Sequence, residues 1–220
     1  MPNAKAFIFD LNGTMIDDMQ YHSAAWFSIL NDDLKAGLTR EEVKLQMYGK
    51  NEELLERIFG KGRFTQEEMA NIARKKEQNY QTTFRPYLQL IAGLPALLEK
   101  ADYSGIPMAI GSAAIPFNID FVLDNLHIRH YFQAIVSADD VTISKPDPET
   151  FDKAARILGV PPKDCIVFED APKGVEAALR AGMSSIVLTT MHEKEEFHRY
   201  PNVLRYIADY TDPSLDELFT

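Results

Sequence analysis

Two periodicities divide the chain. Near its start Ala6-Phe7-Ile8-Phe9 is an unbroken apolar run that ends at Asp10 and an Asn-Gly turn. That is the pattern of a strand buried on both faces in the middle of a parallel sheet. From 17 to about 88 the period turns helical and no strand is predicted. Over 21–30, Trp26, Phe27, Ile29 and Leu30 give one helix an apolar side. Thr39-Arg40-Glu41-Glu42 and Thr65-Gln66-Glu67-Glu68 both fit capping boxes. Leu54, Leu55, Ile58 and Phe59 form a stripe closed by Gly60, and the second capping box opens a helix with Met69, Ile72, Ala73 and Tyr80 on its apolar face.

From about 89 onward strands and helices alternate. Helices are predicted over 94–101, 119–126, 151–158 and 172–180, with strands over 107–110, 134–136, 165–168 and 185–188. Such alternation implies right-handed crossovers and a parallel sheet. The tail from Met191 reads as charged and irregular until Asp212-Pro213-Ser214, which starts a helix that docks Leu215, Leu218 and Phe219. The expected architecture is α/β: a Rossmann-like parallel-sheet core from 1–16 and 89–220, interrupted after Asp10 by an inserted α-helical cap domain at 17–88.

Charge and composition narrow the partners. A net charge of −10 argues against nucleic acid or an anionic membrane surface, and an anionic small molecule would need local cations. With Cys165 as the sole cysteine no internal disulfide can form, and its neighbours Ile166 and Val167 suggest a buried, inert thiol. No run approaches the ~20 apolar residues of a membrane span, and no basic segment leads into an apolar stretch and cleavage site. A monomer in the cytoplasm is the expectation.

Four chemical features fall at or just past strand ends: Asp10 with Asn12, then Ser112, then Lys145, then Glu169-Asp170. Parallel strands bring such positions to one edge of the sheet, where ligands bind. Acids from two strand ends can hold a hard cation such as Mg²⁺, which takes oxygen ligands in an octahedral array and keeps several waters. A lysine and a hydroxyl around an aspartate complete a phosphoryl-transfer constellation.

The constellation resembles the haloacid dehalogenase-like superfamily over nearly the whole chain. Its motif Asp-x-Asp-Gly-Thr/Val stands here as Asp10-Leu11-Asn12-Gly13-Thr14, its Ser or Thr as Ser112, its lysine as Lys145 and its acidic pair as Glu169-Asp170. The helical insert is similar to the cap of the β-phosphoglucomutase-like subfamily: Tyr21-His22 and Trp26 match the first cap helix, Gly49 the substrate-facing turn, and Lys76 a substrate-binding lysine. The resemblance implies a small phosphorylated metabolite as substrate, a sugar phosphate above all, and Asp10 as the nucleophile that forms an aspartyl-phosphate. It implies Mg²⁺ held by Asp10, the Asn12 carbonyl and Asp170 with Glu169 close by, and Lys145 as a second positive charge. It also implies phosphate binding by Ser112 and the amides after it, Ala113 first, with Thr14, His22, Gly49 and Lys76 on the substrate. His22 on its own reads first as a histidine on a polar helix face, and only the resemblance sets the substrate role level with that reading. Lys76, four residues from both Ile72 and Tyr80, lies on the apolar stripe, where a lysine either runs its stem to water or turns to a substrate.

Two positions depart from the family pattern. Asn12 stands where the family has an Asp that protonates the leaving oxygen, and an amide cannot exchange a proton that way. An engineered trap, a natural loss of turnover, and a leaving group that needs no proton are all compatible with it. Glu52 stands where the mutase has an arginine for the distal phosphate, with Lys50 nearby. A carboxylate there repels a second phosphate, which favours a phosphatase over the rival β-phosphoglucomutase, while Asn12 is the feature that supports a third reading, a non-turning-over sensor of phosphorylated metabolites. Asn12-Gly13 is also a deamidation-prone pair, since glycine leaves the succinimide route unhindered. Aged protein is expected to gain a carboxylate at position 12 and activity with it; peptide mapping alongside assays checks this, and activity that fails to track the deamidated fraction rules it out.

Overall fold

The computed structural model describes residues 4–219. Strand β1 (Ala6–Phe9) leads into helices α1 (Met19–Ser28), α2 (Arg40–Leu45), α3 (Asn51–Phe59) and α4 (Gln66–Phe84). There follow α5 (Leu94–Tyr103), β2 (Met108–Gly111), α6 (Pro116–Asn125), β3 (Phe132–Val136), α7 (Glu149–Leu158) and β4 (Cys165–Glu169). The last elements are α8 (Pro172–Arg180), β5 (Ser184–Leu188) and β6 (Val203–Ile207). All the strands pair in parallel, in the order β3-β2-β1-β4-β5-β6. The chain forms two compact units, one running up to Asp17 and on from Gln89, the other Asp18–Leu88. Among the described residues no helix is long and apolar enough to cross a membrane.

The centre of the sheet follows from β1. Its residues are all buried, and their side chains alternate between two apolar layers. Ala6 and Ile8 pack with Ala109, Val136, Phe151 and Val167. On the other face the Phe9 ring stacks on Phe168 at 4.7 Å, and Phe7 meets Phe168 edge-on at 5.5 Å, two favoured aromatic arrangements. Phe9 lies opposite Phe168 in the ladder, and the next N–H, from Asp10, donates to the Phe168 carbonyl at 2.9 Å. Asp10 and Glu169 therefore leave the sheet side by side, at the point where the strand order turns from β2 on one flank of β1 to β4 on the other. In open α/β sheets that crevice is where ligands bind.

The structure departs from the sequence reading at the edges. The segment Val203–Ile207, expected to be irregular, is a sixth strand beside β5. Only Ile207 is buried in it and Arg205 breaks its apolar run, which an edge strand with one neighbour tolerates. Strand β2 starts at Met108 rather than Pro107, which has no N–H for the ladder, and runs on to Gly111. Helix α1 begins at Met19, and its end widens into a π-helical turn, Ile29–Asp33. The tail after Asp212 winds as a 3₁₀ segment, Pro213–Phe219, with Leu215 and Leu218 buried.

In the helical unit both capping boxes form: Thr39 and Glu42, and Thr65 and Glu68, exchange side-chain and backbone hydrogen bonds at 2.8–3.3 Å. The apolar stripes of its helices meet in a core of Trp26, Leu30, Val43, Leu54, Leu55 and Met69.

Phe168 is fully buried among the rings of Phe7, Phe9 and Tyr210. Phe168→Ala is expected to cost about 3–5 kcal/mol, read as a lower urea midpoint of the sheet-containing unit with its unfolding signal followed separately from that of the helical unit.

Candidate active site

Lys145 gathers the strand ends. Its ammonium donates to Asp10 Oδ1 at 2.7 Å, to Glu169 Oε1 at 2.9 Å and to the Gly111 carbonyl at 3.0 Å. A residue from the loop before α7 thus ties the ends of β1, β4 and β2. Burial alone would pull the lysine's pKa down, but Asp10 and Glu169 together overcome this and raise it, so the ammonium is held charged. Glu169 is fully engaged in the same knot: Oε2 accepts the N–H groups of Asp170 at 2.9 Å and Ala171 at 2.8 Å.

Asp170 is buried beside them and accepts from Thr14 Oγ1 at 3.3 Å. Burial lifts its carboxyl well above the ordinary range, the charges of Glu169 and Asp10 lift it further, and Lys145 opposes them in part. The balance is three carboxylates against one ammonium, an oxygen-only donor set with negative charge in excess. A hard dication fits that chemistry, and softer metals that prefer sulfur or imidazole do not. Among the described residues no group of three His, Cys, Asp or Glu side chains has a metal-binding arrangement. Mg²⁺ needs only one or two carboxylates, with waters making up the rest. Asp10, Asp170 and the backbone carbonyl of Asn12 are the groups that would hold such an ion, with Glu169, bonded to Lys145 and two amides, beside them.

The loop after β1 is folded on itself. Met15 and Ile16 donate to the Leu11 carbonyl at 2.8 and 3.3 Å, and Gly13 N–H donates to the Ile16 carbonyl at 2.8 Å. That last bond occupies the nitrogen that would attack the Asn12 side chain, which slows deamidation in the folded chain. Gly13 has φ +76°, and a Cβ there would stand 2.1 Å from Asp170 Oδ2. Only glycine allows both the turn and the approach. Ser112 is buried one residue past β2; its N–H donates to the Val136 carbonyl at 2.9 Å, and its hydroxyl accepts the Ala114 N–H at 3.0 Å. Ala113 sits half-buried between them, in the turn that leads to α6. Asp10, Thr14, Lys145, Glu169 and Asp170 are thus joined in one network, and Ser112 adjoins it through Gly111. Cys165 is buried, and burial, then Asp164, pushes its thiol up to about 11, as expected of a space-filling cysteine.

The helical unit holds a second polar cluster. Lys76, expected either to reach water or to face a substrate, is only 3% exposed. Its ammonium donates to both Glu77 oxygens at 3.0 Å and to His22 Nδ1 at 2.6 Å. With Lys76 donating, Nδ1 accepts and the ring proton stands on Nε2, 3.3 Å from Asp18 Oδ2. His22 is buried rather than on a polar face, and its ring stacks on Tyr80 at 3.7 Å. Tyr80 in turn donates to Asp18 at 2.5 Å, and Asn51 donates to Glu77 at 2.8 Å. Gly49 makes a turn at φ +75°, where a Cβ would stand 2.1 Å from the Glu53 carboxylate that accepts the Lys50 N–H.

Sequence reasoning missed Asp18 and Glu77, although Asp18-x-x-x-His22 and Lys76-x-x-x-Tyr80 are both i,i+4 pairs. It also passed over Gly174, the third residue of α8. A Cβ there would meet Glu169 Oε1 at 1.7 Å. The signal was a glycine inside a helix whose pattern gave it no purpose.

A profile of the haloacid dehalogenase-like hydrolases matches residues 7–188. The chain is 34% identical over 197 residues to the β-phosphoglucomutase of Bacillus subtilis, covering 83% of this chain and 82% of that protein. It is 31% identical over 181 residues to the fructose-1-phosphate phosphatase of Escherichia coli, covering 81% and 93%. Among solved structures, the family IA, variant 3 hydrolase of Entamoeba histolytica superposes with a TM-score of 0.86 at 27% identity, over 98% of this chain and 97% of that one.

The tight fit at Gly174 can be tested directly. In Gly174→Ala the Glu169 carboxylate must swing away from Lys145 and two amides. We expect a loss of about 1.5–3 kcal/mol in urea unfolding, although alanine is the better helix former.

Proposed function

Since the chain belongs to the haloacid dehalogenase-like hydrolase family, on its β-phosphoglucomutase-like branch, we propose that it is a Mg²⁺-dependent phosphohydrolase acting on a small phosphorylated metabolite, a sugar or polyol monophosphate. The observation that carries this reading is the Lys145 ammonium bridging Asp10 and Glu169 at 2.7 and 2.9 Å. It aims a charged aspartate out of the sheet beside a fixed positive charge.

Asp10 attacks phosphorus; a bond forms from its carboxylate oxygen as the bond to the leaving oxygen breaks, which splits one displacement into two. Lys145 lies at the transferring oxygens, where charge grows in the transition state. The Ser112 hydroxyl and the Ala113 amide hold the phosphoryl group at the approach to α6. Mg²⁺ on Asp10, the Asn12 carbonyl and Asp170 would screen the repulsion between nucleophile and phosphate. Asn12 supplies that carbonyl but no proton, so both departure of the alcohol and attack of water on the aspartyl-phosphate lack a general acid–base partner at this position.

His22, Lys76 and the Gly49 turn of the helical unit handle the departing part of the substrate. Lys76 comes to it already paired with Glu77, and Glu52 adds another carboxylate near Gly49. An uncharged, hydroxyl-rich leaving group suits such surroundings better than a second phosphate does, so a monophosphate is favoured over the bisphosphate of a mutase cycle.

The test is phosphate release with Mg²⁺ over a panel of hexose and hexitol monophosphates, run on the encoded chain and on Asn12→Asp. Restoring the carboxylate is expected to raise turnover by about 10²–10⁴-fold. Interconversion of β-glucose 1- and 6-phosphates without net release would identify a mutase instead. Absence of both release and transfer from the two proteins would overturn the enzymatic reading.

A further inference from the structure

In the loop 11–16 the N–H groups of Gly13, Met15 and Ile16 bond internally, to the Ile16 and Leu11 carbonyls. Two of its own carbonyls are taken by hydroxyls from the far end of the chain. Thr190 Oγ1 donates to the Gly13 carbonyl at 2.6 Å, and Tyr210 donates to the Thr14 carbonyl at 3.0 Å. We propose that Thr190 is a positioning residue for phosphoryl transfer, selecting the orientation of the Gly13–Thr14 peptide and through it the setting of Asp170. This rests on the phosphohydrolase reading and adds a residue to it.

Glycine visits both halves of the backbone map at little cost, so the peptide after Gly13 is the one place in this loop that can turn over cheaply. What stops it must come from outside the loop. A peptide plane carries C=O and N–H on opposite edges, so a reversal would present an N–H to Thr190 in place of an acceptor. It would also move Thr14, whose hydroxyl donates to Asp170 Oδ1 at 3.3 Å, and shift a backbone that stands against Asp170 Oδ2. One hydroxyl therefore biases two contacts to the same carboxylate.

Tyr210 does a different job. Its ring packs against Phe9 and Phe168 in the apolar layer, and its N–H donates to Ala92, so removing it would disturb the core as well as the loop. Thr190 is half-buried on a loop past β5. Loss of its hydroxyl should change the setting of the site more than the stability of the sheet.

The experiment is calorimetric titration of the full chain with Mg²⁺ for the encoded protein, Thr190→Val, Thr190→Ala and Thr190→Ser, with thermal melts taken without the metal. Groups that orient metal ligands from behind typically cost 10–100-fold in affinity when removed. Val and Ala are expected to weaken Mg²⁺ binding by at least about tenfold, while Ser stays close to the encoded chain. Should Val prove poorly folded, Ala gives the same answer without added bulk. Unchanged affinity in Val or Ala, whether or not the melting point falls, overturns the proposal and leaves Thr190 as a turn-stabilising residue. An encoded chain that takes up no Mg²⁺ overturns the phosphohydrolase reading first, and the assignment of Thr190 with it.

Discussion

The ammonium of Lys145 is the constraint on which the rest of the site hangs. Its three protons go to a β1 carboxylate, a β4 carboxylate and a β2 carbonyl, so it fixes the relative positions of three strand ends with one charge. Without it Asp10, Glu169 and Asp170 would be three like charges in a buried crevice, an arrangement that either ejects a side chain or forces protonation. With it, the excess negative charge is small enough for the buried crevice to keep. The sheet sets up this problem by aligning Asp10 with Glu169, and the loop before α7 solves it.

The molecule uses a buried lysine twice, in opposite senses. Lys145 has two carboxylates within bonding distance, and its pKa rises despite burial. Lys76 has one, Glu77, with the His22 ring at its third proton; there burial wins, and the pKa falls even though Glu77 and Asp18 oppose it. The first is a permanent charge. The second is held less firmly, because burial outweighs its one carboxylate.

Much of this was legible in the chain. The apolar run at Ala6–Phe9 predicted a central buried strand, and β1 has every residue buried. Thr39 and Thr65 announced their capping boxes, because a cap is a local device written in four residues. Asp10 and Glu169 could be assigned to one edge because parallel strands bring their ends together, whereas Lys145, expected at a strand end, lies in the loop before α7, nine residues past β3, and reaches that edge by its side chain. What could not be read were interactions that depend on register. Strand β6 hid behind Arg205 because edge strands need only half an apolar pattern. Glu77 carries no signal of its own on a charged helix, and its burial follows from its pairing with Lys76 and Asn51. Gly174 and Thr190 carry no motif, and each matters only because of an atom well away in sequence: Glu169 for the first, Gly13 for the second.

One hydrogen bond bears on how such a chain can be rebuilt. Ile91 donates its N–H to the Met15 carbonyl at 2.9 Å, so the chain that leaves the sheet unit before Asp18 and the chain that returns after Leu88 are stitched together on the sheet side of the junction. The doorway is closed whatever lies beyond it, and the entropy of spanning a larger or smaller excursion changes only slowly with its length. The helical unit is thus a replaceable module. Inserts of different length can therefore be exchanged at this seam while the pairing that closes the sheet unit beneath it stays in place.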